Sequence, residues 1–140
     1  MKIFNKRARF DYKISDKIEA GIVLSGGEAR AVRTGHLNLT NSFAKILGSE
    51  VYLVNANIPV PGKKDYSPTR SRKLLLHRSE IVSITTKLKA KKLTLVPISM
   101  YTTHGLIKVE LGLGKSKKKF EKKELLKKKD IQRDIEKELK

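Results

Sequence analysis

The residues with the most evident chemistry are cations that come in groups. Asn5-Lys6-Arg7-Ala8-Arg9 joins three cations and an amide just ahead of Phe10 and Tyr12; Arg70-Ser71-Arg72-Lys73 forms a second cluster, and Arg30 with Arg33 a third. Guanidinium and ammonium groups neutralise phosphates and release condensed counterions, so clusters meeting on one face give tight, salt-sensitive binding to nucleic acid. Across 140 residues, 32 Lys and Arg stand against 14 Asp and Glu, a formal charge of +18. An excess of that size points to a polyanionic partner rather than to a merely solvated surface. Aromatic residues make up only 6%, which favours recognition of a folded RNA's shape over wholesale stacking of a single strand. No helix-turn-helix or zinc finger is legible, so a DNA-binding module is disfavoured.

Catalytic constellations are harder to find. With no cysteine, thiol catalysis, disulfide frameworks and thiolate metal sites are excluded. His36, His77 and His104 occupy unrelated contexts without metal-ligand spacing, and Glu19 and Glu28 have no convincing partner for acid–base work. Gly112-Leu113-Gly114-Lys115-Ser116 resembles the end of a phosphate-binding loop, but the position that must carry the first glycine is Val109, and the segment ends an expected hairpin instead of opening a helix. No enzyme, metal or cofactor is expected. Apolar runs such as Ala20 to Leu24 fall far short of the roughly 20 residues of a membrane span. The start of the chain lacks the pattern of a secretory signal, so the expected location is the cytoplasm.

The elements that must position the cations are mostly strands. Leu93 to Tyr101 and Leu106 to Leu113 read as a β-hairpin about Thr102-Thr103-His104-Gly105, the second run alternating Ile107, Val109, Leu111 and Leu113 with mostly polar neighbours. Pro97 cannot donate to a ladder and predicts an edge or bulge. Further strands are expected at Glu50 to Ile58, Ala29 to Arg33 and Arg9 to Ile14. Ile81, Ile84 and Leu88 share one face of a helix that Ser79 can cap, and Asp16 to Leu24 is a shorter helical candidate stopped by Gly26-Gly27. Pro59 to Pro68 reads as a long loop. Many short strands with few helices predict a mainly β fold with flanking helices: a small, closed or partly closed antiparallel barrel. A ferredoxin-like sandwich is the alternative.

Beyond Gly114 the character of the chain changes. Residues 115–140 hold 12 basic and 6 acidic side chains and few apolar ones, too few to offset the backbone entropy of folding alone. The expected division is a body over 1–114 and a basic C-terminal tail over 115–140. Glu124 with Lys128 and Glu136 with Lys140 are i, i+4 pairs, and Ile131, Ile135 and Leu139 repeat every four residues. The tail therefore reads as a latent helix, disordered alone and ordered once a phosphate-lined groove screens its lysines.

Four ordered blocks resemble the SmpB family, partners of tmRNA in bacterial ribosome rescue. They are Asn5 to Tyr12; Glu19 to Leu24 with Gly26 and Glu28; Pro68 to Leu76; and Gly114-Lys115 leading into the tail. The resemblance implies an oligonucleotide-binding-like barrel without enzymatic activity, a monomer that binds the tRNA-like domain of tmRNA and stands in for its missing anticodon arm. The complex, delivered with the elongation factor that carries aminoacyl-tRNA, enters the empty A site of a stalled ribosome, where the tail becomes a helix in the vacant mRNA channel. Carried over by motif, Asn5, Lys6, Arg7, Glu19 and Leu75 form the tmRNA face; Arg9, Arg30, Arg33, Arg72 and Lys73 join it as cluster cations. Lys115, Lys117, Lys118, Lys122 and Lys123 meet ribosomal RNA. The chain departs from the family's usual tail at Ser116, where glycine is common, and at Glu121-Lys122-Lys123, which replaces Asp-Lys-Arg. A structural ribosomal protein with a lysine tail is the competing reading.

Overall fold

A computed structural model describes residues 2–117. Its backbone is one sheet of seven strands, β1 (Lys2–Phe4), β2 (Tyr12–Ile22), β3 (Phe43–Leu47), β4 (Glu50–Val54), β5 (Arg72–Leu75), β6 (Thr94–Thr103) and β7 (Leu106–Ser116), in the order β1-β6-β7-β2-β5-β4-β3. Every pairing is antiparallel. The hairpin expected from the alternation is present. His104 and Gly105 both take positive φ, 49° and 76°, and two such residues in succession match the right-handed twist of the flanking strands. The sheet is open, ending at β1 and β3. It nevertheless curls far enough that Ala44 and Ile46 of β3 line one hollow with Thr94 and Leu95 of β6. The expected antiparallel β body with flanking helices is thus the fold, as a curled sheet short of closure.

The inner face of the sheet carries the main core, which includes Ala20, Val51, Leu53, Leu74, Leu95, Met100, Val109, Leu111 and Leu113. Helix α2 (Gly26–Arg33) adds Ala31 and Val32, and α3 (Arg78–Lys91) adds Ile84. Each large side chain removed from water in this way contributes roughly 1.5–3 kcal/mol before entropy is counted. Among the described residues the outer face is covered over one half only. There α1 (Lys6–Asp11) packs against β2 and β6, and Ala8, Val96 and Ile98 are buried apart from the main core. Gly112 and Gly114 permit that second layer: a Cβ on Gly112 would stand 2.7 Å from Ile98 and 2.9 Å from Ile14, and one on Gly114 2.8 Å from Tyr12. The two glycines that suggested a phosphate loop are seats for packing.

Several expectations are corrected. Asp16 to Leu24 is not a helix; through Ile22 it belongs to β2, because pairing with β7 over Tyr12 to Gly21 outweighs local helix signals. Ala29 to Arg33 is not a strand but the body of α2, started by a capping box in which Ser25 Oγ accepts from the Glu28 N–H (3.3 Å) and Glu28 accepts from the Ser25 N–H (2.9 Å). Arg9 to Asp11 belong to α1, and the strand begins only at Tyr12. Strand β4 stops at Val54, before Asn55 with φ 64°. Helix α3 is present but starts two residues early, its cap His77 donating its backbone N–H to Glu80 (3.0 Å). Pro97 lies at a bulge in the β6–β7 ladder, one of its two expected settings. Strand β7 runs on through Ser116, and the Lys117 N–H donates to Asp11 O (2.9 Å). The tail helix lies outside the described residues.

Candidate nucleic-acid interface

Directly opposed residues of antiparallel strands point to the same side of the sheet, so the register defines what the uncovered half of the outer face presents. One row crosses five strands as Lys2, Tyr101, Lys108, Gly21 and Leu75; the next is Phe4, Ser99, Glu110 and Glu19. Glu19 and Leu75, from distant blocks of sequence, meet with Gly21, Leu76, His77, Glu80 and Lys108 around a hollow of about 500 Å³. Leu75 is 52% exposed, a large apolar group displayed rather than packed. The Tyr101 hydroxyl reaches over β7 and donates to the Glu19 carboxylate. Burial, that hydrogen bond and the charges of Glu19 and Glu110 push the Tyr101 hydroxyl up to about 12. Lys17 stands 3.9 Å from Glu110. The face thus offers an oriented acceptor, an exposed apolar side chain and flanking cations.

The other expected site residues fall into distinct places. Lys6 and Arg7 are exposed on the first turn of α1, directly after Phe4 and Asn5. Arg7 stacks on Phe10 (4.9 Å to the ring centroid) and lies 3.4 Å from Asp11. Asn5 is buried, donating its side-chain amide to Pro97 O (2.9 Å) and accepting from the Arg7 N–H (3.2 Å). It caps α1 and pins it to β6, so the structure gives it a positioning role instead of an open hydrogen-bonding edge. Arg9, Lys115 and Lys117 gather at the far end of the β2–β7 ladder, where Lys13 opposes Lys115 and the Lys117 ammonium donates to Arg9 O (2.6 Å). Lys73 is exposed on β5 beside Glu50 (3.3 Å). Arg30 lines a separate hollow with His36, Pro59, Val60 and Pro61, and Arg33 donates to Gly105 O (3.4 Å). Lys118, Lys122 and Lys123 lie outside the described residues.

Arg72 is a correction. It is 0% exposed: its guanidinium donates to Glu28 (2.8 Å), Pro68 O (2.8 Å) and the Tyr66 hydroxyl (2.9 Å). No surface of it is left for a phosphate. Glu28 also accepts from Arg70 and Tyr66. Burial opposes its charge, but the hydrogen bonds from Arg70, the Ser25 N–H, Arg72 and Tyr66 prevail and lower its carboxyl from the ordinary 4.5 to about 2. This network ties α2 to β5 and the long loop. Reading the sequence by clusters does not bring Lys2, Phe4, Tyr101 and Lys108 onto this face, where the register places them. Tyr101 and Lys108 were findable as off-core positions flanking the hairpin turn; Lys2 and Phe4 acquire their place only from the β1–β6 register.

Among the described residues no helix is long and apolar enough to cross a membrane, and no group of three or more potential ligands is placed to hold a metal. An open basic β-sheet with a half-covered outer face, presenting an oriented carboxylate, exposed apolar groups and lysines, is a protein of the polyanion-facing class. The SmpB protein family matches residues 2–140, and the chain belongs to that family. It is 47% identical over 139 residues to the SsrA-binding protein of Sulfurihydrogenibium sp. (strain YO3AOP1), covering 97% of this chain and 91% of that protein. It is 46% identical over 135 residues to the SsrA-binding protein of Geobacillus thermodenitrificans (strain NG80-2), covering 94% and 87%. A solved structure described as "tmRNA-SmpB: a journey to the center of the bacterial ribosome" contains a chain similar to this one, with TM-score 0.68 and 43% identity over 84% of this chain and 85% of that one.

Proposed function

We propose that this protein is a tmRNA-binding adaptor of trans-translation. It binds the tRNA-like domain of tmRNA, stands in for the absent anticodon arm and accompanies tmRNA into the empty A site of a stalled ribosome. The observation that carries this reading is the meeting of Glu19 and Leu75 on one exposed hollow, in a chain whose relatives are SsrA-binding proteins. Lys6 and Arg7 contact phosphates, Glu19 accepts from the RNA in an orientation held by Tyr101, and Leu75 packs against an unstacked nucleotide. Asn5 acts through α1, which it starts. Arg30, Arg33 and Lys73 add outlying phosphate contacts. Arg9, expected on the tmRNA face, instead lies beside Lys117 and with Lys115 and Lys117 faces ribosomal RNA, and the residues beyond them, with Lys118, Lys122 and Lys123, occupy the vacant mRNA channel as a helix. The protein performs no catalysis and needs no cofactor. It works as a monomer in the cytoplasm, on the ribosome, and meets the elongation factor only through tmRNA.

A gel shift with tmRNA, competed by an equal mass of ordinary tRNA, tests the partner: binding that survives competition is expected, and equal affinity for both RNAs contradicts the proposal. Truncation after Lys117, which spares all of β7, is expected to leave tmRNA affinity largely intact while abolishing peptide tagging on stalled ribosomes. Loss of both would show that body and tail do not divide the work.

A further inference from the structure

The hollow between Glu19 and Leu75 occupies one end of the uncovered face. At the other end Phe4 is 57% exposed on the short edge strand β1. The Lys2 ammonium stands 5.1 Å from the Phe4 ring centroid and 5.4 Å from that of Tyr101, so a single cation bridges two rings. Tyr101 in turn reaches Glu19, which makes the two ends one continuous surface. Four interstrand steps separate Phe4 from Leu75 in the sheet order, about 19 Å at ordinary spacing. An aromatic ring displayed to solvent beside an ammonium is what an unstacked base and its neighbouring phosphate together require. The charge of the surroundings agrees: Lys108 pairs with Tyr101 on the same face and Lys6 follows directly after Asn5, while Glu19 and Glu110 are engaged by Tyr101 and Lys17.

We propose that Lys2, Phe4 and Tyr101 form a second contact point for the RNA that binds at Glu19 and Leu75, receiving one unstacked nucleobase on the Phe4 ring and its neighbouring phosphate at Lys2. This rests on the RNA-binding reading above and extends it to a part of the face that no sequence motif marks. The base on Phe4 contributes stacking and the phosphate at Lys2 contributes counterion release, so the two residues respond differently to salt.

The test uses the full chain and tmRNA, with affinities measured across a range of salt. Phe4→Ala is expected to weaken binding by about 5- to 100-fold with the salt slope unchanged, while Phe4→Tyr, which keeps the ring, retains affinity within about twofold. Lys2→Ala is expected to lower affinity and reduce the salt slope by about 1. The tmRNA carrying 4-thiouridine is expected to crosslink to the wild-type protein at β1. Wild-type protein without affinity for tmRNA overturns the proposed function and this inference with it. Wild-type protein that binds tmRNA, with Phe4→Ala matching it within about twofold, overturns this inference alone. So does a Phe4→Ala variant that binds tmRNA normally but loses ribosome affinity, which would assign the ring to a different partner.

Discussion

Glu28 and Glu19 are the same residue type on the two sides of one sheet, and they end in opposite situations. Glu28 is fully buried and receives Arg70, Arg72, Tyr66 and the Ser25 N–H; Glu19 stands exposed with Tyr101 directing its carboxylate. The inner glutamate is satisfied within the protein and its charge serves the fold. The outer one is oriented but still wet, so its remaining lone pairs are open to a ligand. The same contrast separates Arg72 from its neighbour Lys73 on β5: a cation in a basic cluster becomes a buried strut or an exposed side chain according to which side of the sheet its backbone position faces.

The contrast can be broken from either side. Glu28→Ala should have the largest effect, because it leaves Arg72 buried without its counter-charge; a loss of about 3–5 kcal/mol in urea unfolding is expected. Comparable stability to wild type would deny the network its role. The same carboxylate dictates an acid response. Its folded pKa of about 2 lies below the ordinary 4.5, so its stabilisation is complete above pH 4.5 and is lost as pH falls through 2, amounting to about 3 kcal/mol. Unfolding free energies between pH 6 and pH 2 should show this slope in the wild type and not in Glu28→Gln. Gly112→Ala should cost about 1–3 kcal/mol by forcing Ile98 and Ile14 apart under α1. On the outer side, Leu75→Ala should change stability by no more than about 0.5 kcal/mol yet weaken tmRNA binding clearly. A large stability loss there would mean that Leu75 packs the fold after all. The smallest change is expected for Lys6→Ala: slightly weaker binding, with the salt slope reduced by about 1.

How far the sequence carried depended on the range of the interaction. The β6–β7 hairpin was legible because alternation and turn chemistry are local. Strand β2 is not: Asp16 to Leu24 looks helical until β7 pairs with it, and no window of sequence contains that partner. The start of α2 is local too, since Ser25 and Glu28 spell a capping box, a signal that the expected strand at Ala29 to Arg33 leaves out. For the site, family-like blocks single out Lys6, Arg7, Glu19 and Leu75, all of which are exposed. Arg72 was misassigned because clustering of charge does not reveal which way alternate residues of a strand point. The placing of Phe4 and Lys2 beside Tyr101 is not legible in the sequence, because only register brings them together.

The opposition of Lys13 and Lys115 across the β2–β7 ladder has a further consequence. Two ammonium-bearing strand positions set face to face repel one another, at a cost of a few tenths of a kcal/mol or more. The solitary molecule is therefore under slight tension at that end, and simple electrolyte should raise its melting temperature even as it loosens the grip on RNA. Thermal endurance and affinity then run in opposite directions along one salt axis, and a polyanion that settles between the two lysines removes the tension that electrolyte otherwise masks.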